Sequence, residues 1–327
     1  MKKRILSGMR PTGKLHLGHL VGALNNWVKL QDTYQCFYMI ADWHALMSEY
    51  GDPKEMRDNS FEMVKDFVAA GLDPDRSVIF VQSQVPEHLE LAMVFSDITP
   101  LAWVERCPTY KEQLREVKGR ELTTYGFLGY PVLQAADIAI YKANAVPVGV
   151  DQVPHLELTR EIIRRFNALY KKELFPEPEP VLTKTAKLLG LDNRKMSKSY
   201  GNFISLSDTP EAIEKKVGQM ITDPERIKLN DKGHPDICNV FNYFAAFAEP
   251  DMKTNVRDWC EGATIGCTEC KKRLATILIS YLEPIRQKRE KLSDSGIEDI
   301  IREGQKKARH AAGQTMDEVK RLINLVI

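Results

Sequence analysis

Apolar positions in the first two-thirds of the chain fall into short unbroken runs, separated by longer stretches of helical spacing. Lys3 to Ser7, with Ile5 and Leu6, reads as a first strand, and Leu17 to Leu30 as a first helix. Cys36-Phe37-Tyr38-Met39-Ile40 has no polar alternation, as expected of a parallel strand covered on both faces. Val78 to Val81 is a third strand and Val146-Pro147-Val148 a short fourth. Asp52-Pro53 opens a helix that Gly71 ends, and further helices are predicted from about Pro86, over Tyr125 to Tyr141, and over His155 to Leu169. Alternating strands and helices predict an α/β fold, a Rossmann-type doubly wound parallel sheet.

Two stretches interrupt the alternation. Pro100 to about Arg120 is longer, mixed and charged, and reads as a helical insertion near 100–125. Pro176-Glu177-Pro178-Glu179-Pro180 reads as a linker. After a polar, basic loop from Gly190 to Asn202 the pattern turns helical: about Asp208 to Met220, Asn239 to Phe247, Cys270 to Leu292 and Ile297 to Leu325. The expected organisation is a catalytic domain over 1–203 and an all-helical C-terminal domain over 204–327. The last helix, with Met316, Val319, Leu322, Ile323 and Val326, is expected to pack back on the body.

With 327 residues and a net charge of +1, the chain carries no global polyelectrolyte signal, so any nucleic-acid contact must come from local patches. No apolar stretch reaches membrane-spanning length, and Met1-Lys2-Lys3-Arg4 leads into a strand rather than a signal-peptide core. A cytoplasmic location without membrane association is expected.

Chemistry concentrates in three places. His16 and His19 flank Gly18 at the mouth of the first helix, after the turn Met9-Arg10-Pro11-Thr12-Gly13; imidazole donors at a helix start suit a phosphate oxygen. Arg194-Lys195-Met196-Ser197-Lys198-Ser199 forms a cationic loop between glycines, able to neutralise charge on a transferring phosphoryl group. Cys238-x21-Cys260-x6-Cys267-x2-Cys270 places four thiols within 33 residues. Thiolate quartets suit zinc or an iron–sulfur cluster, and the irregular spacing tilts toward the cluster, with zinc as the alternative. Cys36 and Cys107 read as buried small hydrophobes. Tyr130, Gln134 and Asp137 lie at i, i+4 and i+7 on one predicted helix face, and Ala41-Asp42-Trp43-His44 closes the second strand where open sheets bind ligands.

His16-Leu17-Gly18-His19 and Lys195 to Ser199 together resemble the two signature elements of the class I aminoacyl-tRNA synthetases. Gly149-Val150-Asp151-Gln152 and Tyr130 to Asp137 place the likeness in the tryptophanyl and tyrosyl branch. Gly8 to Gly13, Ala135 to Ile138, Val146 to Gly149 and Glu157 to Glu161 look like a bacterial tryptophanyl-tRNA synthetase. Val150 departs from the acid common among relatives, and Gln134 gives the pocket a partly tyrosyl-like cast.

The resemblance implies ATP-dependent, Mg2+-assisted activation of L-tryptophan and its transfer to tRNA(Trp). It implies that His16 and His19 hold the phosphate and ribose region, and that Lys195 and Lys198 contact pyrophosphate. Arg10, Pro11 and Thr12 would line the ATP approach, Gly149, Val150 and Asp151 the ribose, and Gly18 the adenine, with Met196, Ser197 and Ser199 completing the loop. Asp137 would accept the indole N–H, which only donates, while Gln152 and Tyr130 bind the ammonium and His44 closes the pocket. Cys238, Cys260, Cys267 and Cys270 look like the 4Fe–4S motif of a subset of these enzymes, in the anticodon-binding domain. Nearby basic residues, including Lys271, Lys272, Arg273, Arg286, Lys288, Arg289 and Lys291, then Lys306, Lys307 and Arg309, are candidate tRNA phosphate contacts. A homodimer joined through the 100–125 insertion, and no DNA partner, are also implied. A tyrosyl-tRNA synthetase is the alternative, with a small-molecule nucleotidyltransferase and a non-catalytic RNA-binding paralogue more remote.

Overall fold

The computed structural model describes residues 2–108, 110–111, 123–182, 188–196 and 200–325. The chain divides into two compact units: Met1–Gly13, Asn25–Lys184 and Ser293–Ile327 in the first, Lys14–Leu24 and Thr185–Leu292 in the second.

The first unit is built on a five-stranded parallel sheet of order β3-β2-β1-β4-β5, with β1 Arg4–Met9, β2 Gln35–Ile40, β3 Ser77–Val81, β4 Ala145–Val148 and β5 Glu179–Leu182. Residues 36–40 of β2 are all buried because both faces are covered. On one face Trp27 stacks on Tyr38 at 4.7 Å and meets Phe67 edge-on at 5.4 Å. On the other, Phe37 stacks on Tyr141 at 4.5 Å, and Tyr141 meets Phe80 edge-on at 5.5 Å. The strand order reverses direction between β1 and β4, so the crevice for a ligand opens beyond their carboxyl ends.

β5 occupies part of the stretch read as a linker. Its register runs from Ala145↔Glu179 to Val148↔Leu182. Pro180 suits an edge strand, where a missing N–H faces away from the ladder, so its breaker signal misleads. The 17–30 helix is also less regular than its periodicity suggests: a single α turn, Leu17–His19, passes into a π turn, Leu20–Leu24, before α geometry resumes over Asn25–Leu30. The 125–141 helix breaks at Gly129 into Tyr125–Leu128 and Tyr130–Ile140. Of the 100–125 insertion, a helix spans Leu101–Glu105, while residues 109 and 112–122 lie outside the described residues.

The last helix, Asp294–Leu322, belongs to the first unit and lies against β3, an edge strand. Ala308, Ala312, Met316 and Val319 are buried. Covering an edge removes a template for unwanted pairing. The approach is close enough that a Cβ on Gly304 would overlap the Ile79 carbonyl oxygen. Lys65 with Asp294 (2.8 Å) and Lys142 with Glu318 (2.6 Å) tie its two ends down.

The second unit is helical: Pro210–Gly218, Asn239–Phe247, Pro250–Glu261 and Cys267–Glu290. Its core holds Ile213, Val217, Val240, Tyr243, Phe244, Leu274, Leu278 and Leu282. The segment at 14–24 joins it by a short pairing, in which the Leu17 N–H donates to the Ile204 carbonyl (3.1 Å) and the Leu206 N–H to that of Leu15 (3.0 Å). No described helix is long and apolar enough to cross a membrane.

Gly304→Ala is expected to lower unfolding stability by about 3 kcal/mol, because the added methyl meets backbone that cannot yield locally. A urea midpoint equal to that of the wild type would show that the helix does not press on β3.

Candidate functional site

The ligand-facing rim of the first unit collects residues from four strand ends. After β1 come Arg10, Pro11 and Thr12, with the Thr12 N–H turned back onto the Arg10 carbonyl at 2.8 Å. After β4, the neighbour of β1, come Gly149 and Val150, the latter 74% exposed; the Asp151 side chain lies outside the described residues. The residues assigned to the ATP approach and to the ribose thus flank the switch point. After β2 and β3, Asp42 ties the two ends together by accepting from the Ser83 N–H at 2.9 Å.

Behind this rim sits Asp137, on the helix Tyr130–Ile140 and wholly buried. Its Oδ1 accepts from Gln82 Nε2 (2.8 Å) and His88 Nδ1 (2.6 Å), and its Oδ2 from His44 Nε2 (2.7 Å). His88 Nε2 in turn meets the Tyr141 hydroxyl at 2.8 Å. Burial alone raises the Asp137 pKa; the hydrogen bonds from His44 and then His88, with the attraction of both rings, outweigh it and hold the carboxyl at about 2. Burial, and then the Asp137 charge, push Tyr141 far above the ordinary phenol range. His88 and Gln82 were not singled out as ligand residues from sequence. The available signal was Gln82, polar at the end of an apolar strand, with His88 in the first turn of the next helix.

Tyr130 is buried on the same helix, with Gln134 partly buried one turn on. The Tyr130 hydroxyl meets His155 Nε2 at 3.2 Å, and His155 Nδ1 meets Cys107 Sγ at 3.3 Å. Cys107 is therefore part of a polar chain as well as a buried small side chain. Gln152 is partly buried at the start of the helix Val153–Leu169.

In the second unit, the two signature elements come together. A Cβ on Gly18 would lie 3.0 Å from Met196 Sδ. The His16 and His19 rings are 3.8 Å apart between centroids, and His19 Nδ1 accepts the His16 N–H at 3.2 Å. Lys195 is exposed, and its carbonyl accepts from Asn202 Nδ2 at 3.1 Å. Asn202 also donates to Asp192 Oδ1 (2.7 Å), and it fills the space where any Cβ on Gly190 would have to go. Ser197, Lys198 and Ser199 lie outside the described residues.

The four clustered cysteines line one small cavity of about 20 Å³, together with Thr222, Asp223, Arg226, Val240, Val256 and Ile265. Burial, then the nearby Cys238, Cys260 and Cys267 thiols, push Cys270 up to about 12. Cys260 is raised for the same reasons, with Arg226 opposing. Thiols that raise one another in this way are a donor set that a cation would relieve. Among the described residues no three of His, Cys, Asp and Glu already form a cage for a single metal ion. Among the basic residues beside the cysteines, Arg273 packs over Trp259 at 4.5 Å and Arg286 pairs with Glu283. Lys306, Lys307 and Arg309 belong to the first unit.

A doubly wound sheet with polar groups gathered at its switch point defines an α/β protein with a ligand crevice beyond its strand ends. The family model of the tRNA synthetases class I (W and Y) matches residues 1–283, and the chain belongs to that family. It is 53% identical to a tryptophan–tRNA ligase of Thermotoga maritima, over 99% of both chains. To that of Aquifex aeolicus it is 44% identical, over 98% of this chain and all of the other. The solved structure of tryptophanyl-tRNA synthetase from Campylobacter jejuni, complexed with ADP and tryptophan, superimposes with a TM-score of 0.89 at 32% identity, over 98% of this chain and 99% of the other.

Because the folded pKa of Asp137 lies below the unfolded value of about 3.9, its ionisation stabilises the protein above about pH 4. That contribution is lost as pH falls toward about 2. Urea unfolding across this window should cost the wild type about 2 kcal/mol more than it costs Asp137→Asn. Parallel stability profiles would refute the buried, ionised state.

Proposed function

We propose that the chain is a tryptophan–tRNA ligase, which activates L-tryptophan with ATP and passes it to tRNA(Trp). The observation that carries the substrate choice is the buried, ionised Asp137. Three donors occupy it, and a carboxylate offers about four acceptor positions. The indole N–H, a donor only, suits the fourth. A site that leaves a buried acceptor unpaired when the donor is missing discriminates strongly by itself. The relatives above, which span almost the whole chain, carry the tryptophan name and favour this reading over the tyrosyl one.

The reaction needs no nucleophilic side chain. A carboxylate oxygen of tryptophan attacks the α-phosphorus of ATP, the bond to the bridging oxygen breaks, and pyrophosphate leaves; Mg2+, when bound with ATP, would neutralise part of its charge. A ribose hydroxyl of the tRNA then attacks the adenylate carbonyl and releases AMP. The protein supplies position and charge stabilisation. In this reading Arg10, Pro11 and Thr12 guide ATP, Gly149 to Asp151 hold the ribose, His16 and His19 donate to phosphate, and Lys195 and Lys198 stabilise the departing pyrophosphate. Tyr130 and Gln152 orient the ammonium; His44, fixed by Asp137, closes the pocket, and Gln134 lines it. A homodimer in the cytoplasm belongs to the same proposal.

Cys238, Cys260, Cys267 and Cys270 are proposed to hold a 4Fe–4S cluster. Their shared cavity and mutual electrostatic repulsion support this. The cluster would supply cross-linking of the helical unit rather than a step of the reaction.

ATP–pyrophosphate exchange should be driven by tryptophan and not by tyrosine. Lys195→Ala should slow it about 100-fold while leaving tryptophan affinity within about twofold. Exchange driven by tyrosine, or a large loss of tryptophan affinity at normal turnover, would overturn these assignments. Protein purified without oxygen should contain iron and acid-labile sulfide and absorb in the visible charge-transfer region. One zinc per chain with no iron would assign the cavity to zinc.

A further inference from the structure

We propose that Asn239 is a positioning residue for Lys195, and that it links the signature loop to the four-cysteine cavity, so that whatever the thiols hold sets the loop. Three successive carbonyls at the base of the loop are each held by a donor from the cavity-bearing helical region. Leu189 accepts from the Tyr243 hydroxyl (2.8 Å), Gly190 from Asn239 Nδ2 (2.7 Å), and Leu191 from the Ile221 N–H (2.9 Å). Two of those donors are next in the chain to residues of the cavity wall: Ile221 precedes Thr222, and Asn239 follows Cys238. Cys238 is also the N-cap of the helix Asn239–Phe247 that carries both side-chain donors.

The loop then relays this base to Lys195. Leu189 pairs with Lys195 in an isolated bridge, and the Gly190 N–H donates to the Arg194 carbonyl at 2.7 Å. Asn239 is 1% exposed and Tyr243 fully buried, so water cannot replace either bond if the helix start shifts. Thiolates drawn toward a common cation would fix Cys238, and with it the donor at Asn239; released thiols would free that end. The proposal rests on Lys195 acting on pyrophosphate and on the thiols sharing one site.

The test uses the full chain, stripped of iron, sulfide and any zinc with ferricyanide and EDTA and returned to reductant, then loaded with Cd2+ as a thiophilic probe whose binding is read by thiolate absorbance. Hydrogen exchange of the 189–196 peptide should slow about tenfold on loading in the wild type, and less than about twofold in Asn239→Ala. In tryptophan-dependent pyrophosphate exchange, Asn239→Ala should lower kcat about tenfold with KM for tryptophan within about twofold. Tyr243→Phe, which removes only a hydroxyl, should show both effects more weakly and serves if Asn239→Ala does not fold. Cd2+ binding with no change at 189–196, equal slowing in wild type and variants, or no thiolate absorbance would overturn the link. Loss of tryptophan-dependent exchange in the wild type would overturn the functional reading alone, since the hydrogen-exchange comparison does not depend on it.

Discussion

A carboxylate stays ionised inside a protein only if enough donors replace the water it has lost, and Asp137 imposes that constraint on the first unit. Its donors come from three places: the helix after β2, the end of β3, and the helix after β3. They can converge only if β2 and β3 end level with each other, which the pairing Ile40↔Val81 provides. Tyr141 joins this polar knot to the apolar core: its hydroxyl meets His88, while its ring stacks on Phe37. Sheet register, core packing and the charge of the site are therefore one problem with one solution.

The second unit meets a different demand. The signature loop has to be held at its base while Lys195 stays open to solvent. The base is fixed by backbone and side-chain bonds to buried donors, while Lys195 itself is exposed. The Gly18 approach to Met196 brings the two signature elements together within that same unit.

Much of this was readable in the sequence where one kind of signal dominated. The unbroken run Cys36 to Ile40 declared a doubly covered strand, and the two signature elements declared the family. What stayed hidden depended on context. Pro180 reads as a breaker unless the strand is known to be an edge, and the π turn at Leu20–Leu24 leaves the apolar spacing almost unchanged. Pro250–Glu261 was not anticipated because its pattern is strongly polar and only Val256 is buried. Gln82 and His88 matter because of a carboxylate some fifty residues further on, a distance that no local pattern encodes.

The final helix also dictates an order of events during synthesis. The residues that cover the β3 edge, Asp294–Leu322, follow the whole of the second unit in the chain. A growing polypeptide therefore presents a nearly finished sheet with one open edge for as long as the intervening helices take to be made. In that interval the helical unit has all of its residues available and can fold first, although the sheet begins at the opposite end of the chain.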